Sequence, residues 1–202
     1  MDKKRIGIMG GTFDPIHMGH LVIAEAVREA YELDTVLFIP ACSPPHKPGI
    51  RVAPVLHRYV MTVLATAGHP AFSVSPIEMN RPGPSYSYDT VLALQQEMGE
   101  NCEFFFILGS DAVKELSTWH NIDQLLSLCH FVAATRPGFS RTVEAVVSQF
   151  GEKGKERIHH LATPELAISA TDIRNRIQAG RSVRFILPEL VEAYIKKEGL
   201  YR

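Results

Sequence analysis

No stretch of this 202-residue sequence approaches the roughly 20 consecutive apolar residues that a membrane-crossing helix requires. Neither sign of charge is in excess, with 21 lysines and arginines against 22 aspartates and glutamates. That balance argues against a nucleic acid as partner, because proteins that bind its backbone are markedly basic. It leaves room for a small basic pocket around a phosphorylated metabolite. Cysteines are few: Cys42, Cys102 and Cys129 are widely spaced and form no C-x-x-C pair. Neither a zinc ribbon nor a disulfide framework is indicated, and free thiols in a reducing compartment are expected. The apolar run Ile6-Gly7-Ile8-Met9 is too short for a secretory leader, so the expected location is cytoplasmic. Two common phosphate motifs are also missing. Neither G-x-x-x-x-G-K-[ST] nor G-x-G-x-x-G follows that run, which removes a P-loop and a dinucleotide fingerprint.

What is present is a regular alternation of short apolar runs and amphipathic stretches. Residues 6–9 read as a buried parallel strand closed by Gly10-Gly11. Residues 20–33 read as a helix with Glu25, Arg28, Glu29 and Glu32 along one polar stripe. Residues 35–39 are a second strand stopped by Pro40. Pro44, Pro45, Pro48 and Pro54 keep regular structure out of 41–54, a loop made basic by His46, Lys47 and Arg51. Further helices are expected at about 55–67, within 85–98, and at 142–150, 171–179 and 188–198; strands are expected at 103–108, 130–135 and 157–161, with an extended stretch over 72–79. The pattern predicts one α/β domain spanning 1–202. Its core is a doubly wound, mostly parallel Rossmann-like sheet with helices on both faces, and a helical part follows from about 169. Ligands bind such sheets beyond the carboxyl ends of the strands, where segments 10–20, 40–47, 109–111 and 136–138 all fall.

The segment Gly10-Gly11-Thr12-Phe13-Asp14-Pro15-Ile16-His17-Met18-Gly19-His20 holds the clearest chemistry. Glycines let backbone approach a ligand closely, and helix N-terminal N–H groups favour phosphate. His17 and His20 add donors at the helix entrance. Three other readings compete. The two histidines with Asp14 could ligate a metal, but their spacing is i, i+3 rather than i, i+4 and no third ligand stands nearby. They could simply cap or pack the helix. A nucleophile would need a better candidate than Thr12. Phosphate binding fits best, and no metal ligands are assigned. Ser169-x-x-Asp172 matches a helix capping box, which still leaves N–H groups open to phosphate.

The pattern GGTFDPxHxGH over 10–20 resembles the signature of the nucleotidyltransferase superfamily. Pro44-Pro45-His46-Lys47, Pro84-Ser85-Tyr86-Ser87-Tyr88-Asp89-Thr90, Leu108-Gly109-Ser110-Asp111, Trp119, Arg136-Pro137-Gly138 and Ile168-Ser169-Ala170-Thr171-Asp172-Ile173-Arg174 follow in order. This series resembles the bacterial nicotinate-nucleotide adenylyltransferases from residue 6 to Tyr194-Ile195, nearly the whole chain. The resemblance implies transfer of AMP from ATP to nicotinate mononucleotide, giving deamido-NAD and pyrophosphate with Mg²⁺. It also implies a homodimer. By the same resemblance His17, His20, Lys47 and Arg174 act on the phosphates, with backbone groups of Gly10, Gly11, Thr12 and Phe13. Gly109 and Asp111 hold the adenosine ribose, Arg136 closes the nucleotide pocket, and Ser169 and Thr171 grip ATP from the opposite side. Lys47, Ser87 and Trp119 serve the mononucleotide, whose carboxylate meets the Ser87 N–H and whose ring stacks on the indole. Two positions depart from the family pattern: Ser87 stands where threonine is common and Ala170 where serine is common. Ser87 keeps the N–H that recognition needs, whereas Ala170 removes a hydroxyl. An acceptor of another kind, such as the amidated mononucleotide or a pantetheine phosphate, and a nucleotide sensor without transfer activity are the competing readings.

Overall fold

A computed structural model of the chain describes residues 3–43, 52–81, 83–135, 139–164 and 166–202. Along the chain run β1 (Lys4–Gly11), α1 (Met18–Ala30), β2 (Thr35–Pro40), α2 (Val55–Thr66), β3 (Phe72–Val74), α3 (Ser87–Met98), β4 (Cys102–Leu108) and α4 (Ser110–Glu115). They are followed by α5 (Ile122–Leu128), β5 (His130–Thr135), α6 (Ser140–Gln149), α7 (Gly151–Arg157), β6 (Ile158–Ala162), α8 (Ala170–Gln178) and α9 (Glu189–Glu198). The strands pair in parallel in the order β3-β2-β1-β4-β5-β6.

A parallel sheet covered on both faces needs apolar residues pointing both ways, and β4 supplies them in alternation. Phe104, Phe106 and Leu108 join one core with Val91 and Leu94 of α3, Leu125 of α5 and Val143 of α6. Phe105 and Ile107 join the other with Ala24 and Val27 of α1, Met61 of α2, Ile173 of α8 and Val191 of α9. The doubly wound architecture is as the sequence predicts. Because β1 has β2 on one side and β4 on the other, the strand order reverses between β1 and β4. The carboxyl ends of these two strands, Gly10–Gly11 and Leu108–Gly109, therefore frame a crevice.

Three differences have physical causes. The short helices α4, α5 and α7 are not among the sequence expectations, because six or seven residues complete too few turns for a period to show. The extended stretch over 72–79 contracts to the three-residue edge strand β3, and residues 77–80 turn after Pro76. The helix expected at 20–33 begins earlier, at Met18, because His17 caps it, and ends earlier, at Ala30, because the chain turns off at Glu32 with a φ of 49°.

Helix α7 is pressed against α6. A Cβ on Gly154 would run into the carbonyl oxygen of Val147 and lie 2.9 Å from Phe150 Cβ. Gly154→Ala is therefore expected to destabilise the fold by about 1–3 kcal/mol in urea unfolding. Gly68→Ala, where a Cβ would meet nothing within 4 Å, is expected to leave stability unchanged. Equal stability of the two variants would contradict this packing.

Candidate active site

The crevice is a cavity of about 430 Å³, within the size range of small-molecule sites. β1 and the loop after it give one wall through Gly10, Gly11 and Thr12. Gly109, Ser87 and Trp119 stand on the other side.

Beyond Gly11 the chain is held in an unusual shape. Phe13 has a φ of 49°, a left-handed conformation that costs a non-glycine residue roughly 1–2 kcal/mol. Its ring is 2% exposed and sits against Phe38 and edge-on to the His20 ring, a burial that offsets the strain. A side chain at Gly11 would collide with that ring, 2.9 Å from Phe13 Cε1. His17 is the N-cap of α1, with extended backbone. Its N–H donates to His20 Nδ1 at 3.2 Å. An accepting Nδ1 carries no proton, so the His20 proton sits on Nε2. The two rings stack with centroids 3.8 Å apart, and a Cβ on Gly19 would stand 3.1 Å from His17 Nδ1. The spacing of the motif is thus explained locally: His17 starts the helix, Gly19 leaves room for its ring, and His20 reaches back to cap.

Burial pushes the His17 pKa down from 6.5 to about 4, so the ring is neutral at neutral pH. Its Nδ1 is buried without a hydrogen-bond partner among the described residues. Stacked rings do not aim their lone pairs at a common point, which counts against a shared metal. Among the described residues no group of three or more histidine, cysteine, aspartate or glutamate side chains could hold one.

Asp14 joins the motif to the C-terminal segment. Arg174 on α8 donates to the Asp14 carbonyl at 2.7 Å, and its Nη1 stands 3.7 Å from Asp14 Oδ2. The other guanidinium nitrogen donates to Thr171 Oγ1 at 3.2 Å. Ser169 caps α8 by accepting from the Asp172 N–H at 3.1 Å, while the Asp172 carboxylate pairs with Arg176 at 2.7 Å. The carboxylate of Asp14 is 3% exposed, and its Oδ1 takes the Tyr201 hydroxyl at 2.7 Å and the Ala53 N–H at 3.1 Å. Both oxygens thus face protein donors, and the motif's own carboxylate does not suit a resident Mg²⁺.

The sequence reading passed over Arg58, which is 1% exposed on α2. Its guanidinium donates to the carbonyls of Thr12 and Ala41 at 2.7 Å each and of Ala53 at 2.9 Å. It ties the two ends of the basic loop to the glycine turn. An isolated arginine in an amphipathic helix looks like a solvated residue, and nothing in its spacing marks it as buried.

On the far wall Ser87 opens α3, so unpaired N–H groups lie at the cavity edge. The preceding turn is fastened from two directions. Ser85 Oγ accepts from the Cys42 and Ser43 N–H groups at 3.0 and 3.1 Å. Buried Glu78 accepts from the Thr90 hydroxyl at 2.7 Å, and Arg81 donates to the Tyr86 carbonyl at 3.3 Å. Trp119 is half-buried, edge-on to Phe106 at 5.5 Å, and lines the cavity. Gly109 also lines it, as N-cap of α4. The side chain of Asp111 is fully exposed, 3.9 Å from Lys114. The structure therefore brings Gly10–Thr12, Ser87, Gly109 and Trp119 around one cavity, and gathers Phe13, His17, His20, Thr171 and Arg174 about Asp14 and the start of α1. Lys47 and Arg136 lie outside the described residues.

Comparison with known proteins agrees with this geometry. Residues 8–176 match the cytidylyltransferase-like family. A Moorella thermoacetica protein named "Probable nicotinate-nucleotide adenylyltransferase" is 50% identical over 199 residues, covering 98% of this chain and 92% of that protein. A Thermoanaerobacter protein of the same name is 49% identical over 201 residues, covering 99% and 95%. Among solved structures, Plasmodium falciparum nicotinic acid mononucleotide adenylyltransferase superposes with a TM-score of 0.79 over 98% of this chain and 97% of that one, at 22% identity, which speaks to the fold. With the motif, the strand order and near full-length identity in agreement, the chain belongs to the nicotinate-nucleotide adenylyltransferase family.

Proposed function

We propose that this protein transfers the adenylyl group of ATP to nicotinate mononucleotide, producing nicotinate adenine dinucleotide and pyrophosphate. The observation that carries this reading is the two-sided cavity at the β1/β4 switch. Glycine-rich backbone lines one side, and a helix N-terminus beside an indole lines the other. The first suits phosphates, because N–H groups approach closely there. The second suits a planar ring bearing a carboxylate, which the α3 N–H groups attract and the Trp119 face stacks upon.

In the reaction, a 5′-phosphate oxygen of the mononucleotide attacks the α-phosphorus in line. One P–O bond forms, the bond to the β-phosphate bridge breaks, and pyrophosphate leaves. The chain needs no nucleophile of its own for this, since positioning and charge neutralisation dominate phosphoryl chemistry. Backbone groups of Gly10, Gly11, Thr12 and Phe13, with His17, His20 and Arg174, face the phosphates in this reading. Ser169 and Thr171 support the α8 side, Lys47 and Arg136 add positive charge, and Gly109 and Asp111 serve the ribose. Mg²⁺ arriving with ATP supplies further neutralisation of the leaving group. His17 acts as a neutral donor, as its lowered pKa supports. A homodimer and a cytoplasmic setting belong to the same proposal, and the two cores sharing one sheet support a single domain. No helix among the described residues is long and apolar enough to cross a membrane.

Three outcomes are expected. With acidic and amidated mononucleotides as rival acceptors, kcat/KM favours the acid by about 10- to 100-fold, the worth of one charge-assisted hydrogen bond. Equal or greater turnover of the amide would overturn the acceptor assignment. His20→Ala lowers kcat by about 10²–10³ while the protein stays folded, at a cost of about 1 kcal/mol for the lost cap; an unchanged rate would remove His20 from the chemistry. The third concerns pH. Because His17 titrates near 4 when folded and near 6.5 when unfolded, its contribution is complete above about pH 6.5 and is lost as pH falls toward 4. Urea unfolding of wild type and His17→Asn at pH 7.5 and pH 4.5 should show the variant losing less stability on acidification, by up to about 3 kcal/mol. Parallel losses would show that His17 is not held neutral.

A further inference from the structure

We propose that Tyr201, next to the last residue, is a positioning residue for ATP, acting through Asp14 on Arg174; this rests on the reading of Arg174 as a phosphate ligand. Four separate parts of the chain meet at Asp14. They are the glycine–histidine motif that contains it, Ala53 before α2, Arg174 on α8, and Tyr201 beyond α9. The carboxylate is 3% exposed, and a charge so buried must be matched by donors and by opposite charge. Tyr201 gives the shortest of its hydrogen bonds, 2.7 Å to Oδ1, beside the Ala53 N–H at 3.1 Å.

Arg174 has the looser hold. It donates to the Asp14 main-chain carbonyl, but its approach to the carboxylate is 3.7 Å, and its side chain is 25% exposed. The Asp14 carbonyl and Thr171 Oγ1 hold the two ends of the guanidinium, and the carboxylate, which the phenol hydroxyl fixes, supplies the opposite charge beside it. Tyr201 suits this task. Its ring packs into the core beneath α9, burial and the neighbouring carboxylate push its pKa upward, and the hydroxyl stays protonated as a donor. Its φ of 63° is left-handed for a residue with a side chain, a conformation that persists only where surroundings hold it. The Tyr201 hydroxyl donates to Asp14, so the path from it to Arg174 runs through that carboxylate.

The test is Tyr201→Phe, which removes the hydroxyl and keeps the ring. Binding of Mg-ATP is measured by calorimetry and turnover by steady-state kinetics, in the wild-type and Arg174→Ala backgrounds. The expected result is ATP affinity weakened about tenfold, with KM for the mononucleotide close to wild type and Tm lowered by the lost buried hydrogen bond to the same extent in both backgrounds. In the Arg174→Ala background the same change should alter ATP affinity less than about twofold, because the group being positioned is gone. A merely structural tether would shift both substrates, or would weaken ATP binding equally in both backgrounds; either result overturns the proposal. Asp14→Asn provides a second variant, expected to weaken ATP binding similarly and not to add to Tyr201→Phe. Wild-type protein that binds ATP but transfers nothing would defeat the functional reading while leaving the affinity test intact. Wild-type protein that binds no ATP would overturn both.

Discussion

Asp14 and Arg58 are both nearly out of contact with water, at 3% and 1% exposure, and the site depends on how their charges are satisfied. A buried ion loses several kcal/mol of hydration, recovered only if its hydrogen-bonding positions are filled. Arg58 fills its positions with main-chain carbonyls from the glycine turn and both ends of the basic loop. Asp14 fills its own with donors from three other segments. Such bonds are directional, so they fix loops that the apolar core alone would leave adjustable. Burial also weakens the preference of Arg58 for its charged form, but the Asp14 charge opposes that, and the two buried ions support each other.

This arrangement bears on how a nearly neutral protein would offer the proposed anion site. The net charge is only −1, so attraction for phosphate must be local. In the proposed reading it comes from backbone N–H groups at the β1 turn and the start of α3, which line the cavity, and from the starts of α1 and α8, which Asp14 and Arg174 tie together. In that reading His17 adds one ring N–H donor without adding charge, since burial keeps it neutral.

Much of the fold could be read from residue order. The runs that became β1, β2, β4 and β5 are strongly apolar and bounded by glycine, proline or polar turns, which marks buried strands in the sequence itself. The Ser169 cap was legible because capping is a contact between residues three apart. The short helices α4, α5 and α7 were not, because six or seven residues show no period, and neither was the contraction of the 72–79 stretch. The candidate site divides the same way. Gly10–His20, Ser87 and Trp119 stood out as residue types in a recognisable pattern. Arg58, Glu78 and Tyr201 did not, since single polar residues in ordinary surroundings carry no mark of burial.

What the amino-acid order determined alone is therefore everything that short-range chemistry can specify. That includes the alternation of strands and helices, the phosphate-suited turn after the first strand, the helix caps and the balance of charge. The tertiary structure alone decided which of these meet. It set β1 beside β4, so that two strand ends separated by almost a hundred residues open into one cavity. It also folded the penultimate residue back onto the fourth residue after β1's last glycine pair begins, at Asp14. The reason is physical: a buried charge is satisfied by whichever donors packing brings within about 3 Å, and packing is a property of the whole chain.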